Sequence, residues 1–264
     1  MLMLLAALLA LAASCRPSGA AMPSGGGGWW SDNSIGGADH PCSIERRPAS
    51  AVSAEEFAQE FDLQQPLILT NATAEWGIST AAFSREALLG LGDDAHVLTG
   101  TSATIPKARG AGHRRVPLRS LVGGMGQPSS GEGKGGSGEQ YAFDNGDFLP
   151  AHPSLQEALR WPPLYPASRG GQTFFALGSA STGVQFHFHA DGWALQLFGR
   201  KRWFFFPPNV TPQPTYPPSV PIAHWAEEML PKLLPKTKQL RECVVGSGDW
   251  IYVPVRTSAP GGAL

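Results

Sequence analysis

The stretch Phe186-His-Phe-His-Ala-Asp-Gly-Trp193 holds the residues of this 264-residue chain best suited to binding a metal. On a strand, side chains two positions apart share a face, about 6.5 Å apart along the chain. His187 and His189 therefore form one same-face pair, and His189 and Asp191 form another if the strand runs that far. Two such ligands joined by a third from a distant strand make the facial arrangement that holds Fe(II), leaving positions open for a co-substrate and oxygen. The competing reading is structural, with two histidines packed on an aromatic strand. Neither reading assigns a catalytic acid, base or nucleophile.

Downstream, Phe198-Gly199-Arg200-Lys201-Arg202-Trp203 runs into Phe204-Phe205-Phe206-Pro207-Pro208 and reads as a hairpin whose second strand ends at the double proline. An ammonium inside a β-fold needs an anionic partner, because an unpaired buried charge is costly. The alternative for Lys201 is an exposed hairpin lysine between Arg200 and Arg202.

The elements that must position these groups are short. From 173 onward, Thr173–Leu177, Val184–His189, Trp193–Phe198, Lys201–Phe206, Leu240–Val245 and Trp250–Val253 are aromatic or β-branched runs separated by turn residues, the texture of a sandwich or jelly roll. Before them, Ser53 and Ser84 stand where they can cap short helices, Pro66–Thr70 reads as a buried strand and His96–Leu98 as a weaker one. Ser154-Leu-Gln-Glu157 has capping-box spacing, and Pro221 opens a helical insert reaching about Leu234. Gly123–Gly138 is low-complexity and expected to be a flexible surface loop. The basic cluster before it (Lys107, Arg109, His113, Arg114, Arg115, Arg119) reads as a solvated face.

Composition agrees with a loop-rich β-protein: 32 Gly and 24 Pro accompany only 16% charged residues. A net charge of −1 gives no basis for nucleic-acid binding. Residues 1–21 contain an apolar run, Leu2–Ala13, too short to span a bilayer but suited to a signal-peptide core. Cleavage near Ala20 or Ala21 is expected, with a retained anchor as the rival reading, and no later stretch is apolar enough to cross a membrane. Residues 22–41, rich in Gly, Ser and Trp, read as a disordered lead-in to a domain over 42–254. Removing the leader leaves Cys42 and Cys243, which either pair in an oxidising compartment or remain separate buried thiols. Asn71-Ala72-Thr73 and Asn209-Val210-Thr211 are glycosylation sequons fitting the endoplasmic reticulum lumen or secretion.

The H-x-D-like strand, the Gly-x-Lys-Arg turn and the terminal Pro-Pro together resemble the JmjC-domain, cupin-like family. Gly248-Asp249-Trp-Ile-Tyr-Val-Pro254 is similar to that family's G-D-x-x-x-x-P strand. The resemblance covers roughly 45–254, is most specific over 184–208, and is strongest to small lumenal members. It implies a mainly β, double-stranded β-helix (jelly roll or cupin) with short N-terminal helices and one helical insert. By resemblance, iron would use His187 with His189, or His189 with Asp191, and Lys201 would bind the distal carboxylate of 2-oxoglutarate. The family's third ligand, a histidine soon after the G-D strand, has no counterpart here, since the last histidine is His224. The domain is accordingly expected to be incomplete at its C-terminus, with 255–264 a non-native tail. Two functions follow as expectations. One is an Fe(II)/2-oxoglutarate-dependent protein hydroxylase, weak or inactive as written. The other is a non-catalytic cupin-fold module of the lumen that binds or assembles a protein partner.

Overall fold

The computed structural model describes residues 6–13, 27–29, 42–100, 113–125, 141–144, 146–165, 169, 171–179, 182–184, 186–188, 191–206, 224–233, 240–254 and 258–260. The strands are β1 (Ala6–Ala13), β2 (Glu45–Pro48), β3 (Leu67–Thr70), β4 (His96–Gly100), β5 (Arg114–Pro117), β6 (Tyr141–Asp144), β7 (Gln172–Ser179), β8 (Phe186–Phe188), β9 (Gly192–Phe198), β10 (Lys201–Phe205), β11 (Arg241–Val245), β12 (Trp250–Val253) and β13 (Ser258–Pro260). Nine of them form one sheet in the order β2-β3-β12-β9-β1-β7-β6-β4-β5. A smaller layer consists of β10 paired with β11 and β8 paired with β13, and β13 also approaches β10. The fold is mainly β, with short helices, and is of the jelly-roll type.

The large sheet is covered on both faces, and strand alternation sorts its residues. Leu67 and Leu69, Phe175 and Leu177, Trp193, Leu195 and Leu197, and Trp250 and Tyr252 enter one core with the helices. Their neighbours Ile68, Ala176, Ala194, Ile251 and Val253 enter a second core against Trp203, Phe205, Cys243 and Val245 of the smaller layer. This arrangement explains why the strands read as continuous apolar runs.

The caps follow the sequence at Ser53 and Ser84, whose side chains accept from the backbone N–H of Glu56 and Ala87. Ser154 differs: the helix Pro153–Glu157 starts one residue earlier, with Pro153 in its first turn and no side-chain cap. Proline's fixed φ suits that position, so the helix needs no serine to begin. A second difference concerns the expected hairpin around Lys201. At Gly199 (φ 73°) the chain leaves the large sheet, and β10 pairs with β11 rather than with β9. The turn is a switch between layers.

Within the lead-in, Gly27–Trp29 is packed. Trp29 is buried and donates through Nε1 to the Phe83 carbonyl at 3.1 Å. The exposed outer strands were missed by pattern because they are polar: β2 (ERRP) and β5 (RRVP) each carry two arginines and end in proline, a charged edge that discourages further strand pairing. Arg115 and Arg119 pair with Asp147 and Asp93 at exposed sites, as expected of a solvated face. Lys107, Arg109 and most of the low-complexity loop lie outside the described residues. The helical insert is present over 224–233. Among the described residues, no helix is long and apolar enough to cross a membrane.

Cys42 and Cys243 form a disulfide across 201 positions, joining the start of the domain to β11. Replacing both by alanine is expected to remove about 4–5 kcal/mol in the loop-closure description and lower the unfolding midpoint by roughly 10–15 °C. Calorimetry of the two proteins checks this, and an unchanged midpoint contradicts it.

Candidate functional site

Lys201 opens β10, and period-two alternation decides its surroundings. Lys201, Trp203 and Phe205 face the large sheet and are buried, while Arg202 faces the other way and pairs with Glu242 at 2.5 Å. The Lys201 ammonium is fully enclosed. Its Nζ lies 4.5 Å from the Trp203 ring centroid and donates to Tyr141 Oη at 3.4 Å. Tyr141 reaches this place because β6 runs beside β7 with Tyr141 opposite Gly178. A Cβ at Gly178 would lie 2.4 Å from the Tyr141 ring, so the glycine inside this strand provides the space for it.

Burial pushes the Lys201 pKa down from 10.5 to about 7, and no carboxylate among the described residues offsets it. The Tyr141 hydroxyl is pushed up by the same burial, so at neutral pH it stays protonated and uncharged. Among the described residues the enclosed amine has a phenol and an indole face beside it and no acid, so its charged form lacks an anionic partner there.

Asp191 is elsewhere. It precedes β9 with the parity of Trp193, Leu195 and Leu197, which enter the core on the opposite face of the large sheet from Lys201. Its Oδ2 accepts from Arg169 Nη1 at 2.7 Å. The same guanidinium pairs with Asp62, donating from Nη1 to Oδ1 at 2.7 Å and from Nη2 to Oδ2. Tyr252, in the first core, donates to Asp62 at 3.2 Å and accepts from the backbone N–H of Leu63 at 2.9 Å. Burial raises the Asp191 pKa even though the Arg169 charge favours the carboxylate. The hydrogen bond to Asp62, with the charges of Asp62 and Asp191, holds Arg169 above the ordinary arginine value. These groups form a structural clamp between the end of the first helical segment (Phe57–Phe61), Arg169, the start of β9 and β12.

His187 lies on β8 with its backbone opposite Ala259 of β13. Its side chain, all of His189 and the sequon Asn209 lie outside the described residues. His224 begins the helical insert and is exposed. Among the described residues, no group of three His, Cys, Asp or Glu is placed to hold a metal ion. The residues around Lys201 thus fit a carboxylate co-substrate. Asp191, paired with Arg169 on the opposite face of the large sheet, does not fit as an iron ligand beside Lys201. Asn71 is exposed in a left-handed turn (φ 58°), its backbone N–H bound by Asp249 Oδ1 at 3.1 Å. Asp249, the acid of the G-D strand, is therefore used to tie the β11–β12 turn to the end of β3.

Comparison with known proteins places this arrangement. JmjC domain-containing protein 8 of Rattus norvegicus is 30% identical over 215 residues, spanning 81% of the chain and 76% of the relative. The chain belongs to the JmjC-domain family. The Homo sapiens protein of the same name is 30% identical over 216 residues (81% of the chain, 77% of the relative), and that of Mus musculus is 29% identical over 215 residues. No family model matches the chain. Members of the family are generally linked to Fe(II) and 2-oxoglutarate.

Sequence reasoning named Lys201, which is buried, and did not single out Tyr141, Arg169 or Asp62. Tyr141 follows the low-complexity stretch, and Arg169 stands in a Pro- and Gly-rich segment without periodicity. Only the Gly178 position inside an apolar strand hinted at a large neighbour.

Because the native Lys201 pKa lies below its unfolded value, the folded state binds fewer protons between about pH 7 and 10.5, and stability rises with pH across that window. Lys201→Met is expected to be more stable than the parent by roughly 1–4 kcal/mol at pH 6. The advantage should shrink as pH rises toward 10. Urea unfolding at several pH values checks this, and an advantage independent of pH contradicts it.

Proposed function

We propose that this chain is a JmjC-type module of the secretory pathway that binds rather than hydroxylates, retaining a carboxylate seat at Lys201. The observation that carries the reading is the division of the two candidate groups: Lys201 is enclosed on one face of the large sheet, and Asp191 is clamped to Arg169 on the other. A facial iron site needs its carboxylate in the cavity that receives the co-substrate. The disulfide and the exposed Asn71 sequon support a lumenal or secreted location with glycosylation at Asn71 and Asn209, after removal of residues 1–21. The partner is a protein, engaged by the folded domain over 42–254.

A second reading, an Fe(II)/2-oxoglutarate-dependent protein hydroxylase, is supported by the lack, among the described residues, of an acid beside Lys201, which a 2-oxoglutarate carboxylate would supply. In that reading the bound cofactors would supply oxygen activation, and Lys201 and Tyr141 would hold the co-substrate's distal carboxylate.

Anaerobic titration with ferrous iron and 2-oxoglutarate separates the two. The binding-module reading expects no weak visible charge-transfer band, and appearance of the band favours the hydroxylase. Calorimetric titration with 2-oxoglutarate alone is expected to show proton uptake above pH 7, with affinity falling up to about tenfold per pH unit as the free amine must be recharged. Binding without proton uptake would contradict a Lys201 seat.

A further inference from the structure

The start of the domain is a seam between the two layers. Ser43 runs beside β11: its N–H donates to the Glu242 carbonyl at 2.9 Å, and its Oγ accepts from the Glu242 N–H at 2.8 Å. Two residues later the same chain becomes β2, which pairs in parallel with β3 at the border of the large sheet. Residues 42–48 therefore join the small layer to the large sheet along one side of the second core. Ile44 fills that side from within, buried with Trp203, Cys243 and Val245. Trp203 stands opposite Cys243 across β10 and β11, and its ring lies against the Lys201 ammonium.

The disulfide in this seam is unsymmetrical. Cys42 is half-buried, whereas Cys243 is fully buried. A thiolate from outside can reach Cys42 and not Cys243, and access selects the sulfur that is attacked. The sulfur that leaves is then Cys243. Arg46 stands beside it: Nη2 lies 3.5 Å from Cys243 Sγ and also donates to the Val244 carbonyl, and Nη1 lies 3.6 Å from Asp249 Oδ2. A thiolate forming at Cys243 is disfavoured by the apolar core and favoured by the guanidinium already within reach of it. A better-stabilised leaving thiolate departs faster, so Arg46 assists cleavage in this direction and not in the reverse one.

We propose that the Cys42–Cys243 bond is an exchange site for small thiols, entered at Cys42 with Cys243 as the leaving sulfur, and that its opening releases the 42–44 strap and admits solvent to Lys201. The incoming thiolate bonds to Cys42 Sγ as the S–S bond breaks, and the electron pair leaves on Cys243 Sγ. A second thiol then displaces Cys42 from the mixed disulfide. Two external thiols are oxidised to one disulfide, and Cys42 and Cys243 each gain an electron and a proton. Without the bond the strap is held by Ile44, Arg46 and the hydrogen bonds to Glu242. This inference requires neither iron nor 2-oxoglutarate.

The test uses the full chain with Cys15→Ser, whose two remaining cysteines are Cys42 and Cys243. The folded, oxidised protein is pulsed with reduced glutathione, quenched with N-ethylmaleimide and digested for mass spectrometry. Glutathione is expected on Cys42 and the maleimide on Cys243, in at least tenfold excess over the reverse adduct. An even or reversed distribution, or no exchange without denaturant, would overturn entry at Cys42. Arg46→Met is expected to slow reduction by dithiothreitol about tenfold, and Arg46→Lys to restore most of the rate. If Arg46 only braces the strap, its loss speeds reduction, which would overturn its role at the leaving sulfur. Solvent entry is read with acetic anhydride: Lys201 is expected to be acylated at least tenfold faster after reduction, with exposed Lys232 unchanged. Hydrogen exchange at Ile68 and Ile251, paired on β3 and β12, should stay slow in the reduced protein. Equal Lys201 labelling in both forms, or labelling only with loss of protection at those amides, would overturn the release of the seam.

Discussion

A sheet covered on both faces commits every residue of its strands to one enclosed layer or the other, and that commitment governs the chemistry here. Parity places Trp193, Leu195 and Leu197 on the helical side, and Asp191 follows the same parity into a clamp with Arg169, Asp62 and Tyr252. β10, on the far side, turns Lys201 inward beside Trp203. The two groups are only ten positions apart in sequence, yet a layer switch at Gly199 and the thickness of a sheet separate them. Slippage by one residue in either strand would reverse the assignment, which is why the register is held so firmly by apolar cores on both sides.

The clamp and the lysine differ in how burial is tolerated. Arg169 joins two carboxylates from distant segments, so its charge is compensated and the cluster can bind helix, loop and sheet together. Among the described residues Lys201 has only a phenol and an indole face beside it, and the cost of enclosing it appears as a depressed pKa. A protein does not gain stability from such a lysine.

Much of the fold was legible because its strands are apolar, short and regularly punctuated: β3, β7, β9, β10, β11 and β12 all fall within a residue or two of their sequence assignments. The Gly-Arg-Lys-Arg turn and the Cys42–Cys243 pair were legible as motif and as cysteine arithmetic. Arg169 and Asp62 were not, because an ion pair spanning 107 positions leaves no local pattern. The polar strands β2 and β5 were hidden because edges lack alternation. Periodicity does not distinguish a signal peptide from a buried parallel strand over the eight-residue apolar run Ala6–Ala13.

The central claim, that Asp191 serves the Arg169 clamp and not the surroundings of Lys201, is tested most directly by a double-mutant cycle of Arg169→Met and Asp191→Asn, read as unfolding free energy and as 2-oxoglutarate affinity in the same four proteins. The account predicts a coupling of roughly 1–3 kcal/mol in stability with 2-oxoglutarate affinity unchanged by Asp191→Asn. Additive stability effects, together with loss of 2-oxoglutarate binding in Asp191→Asn, would contradict it.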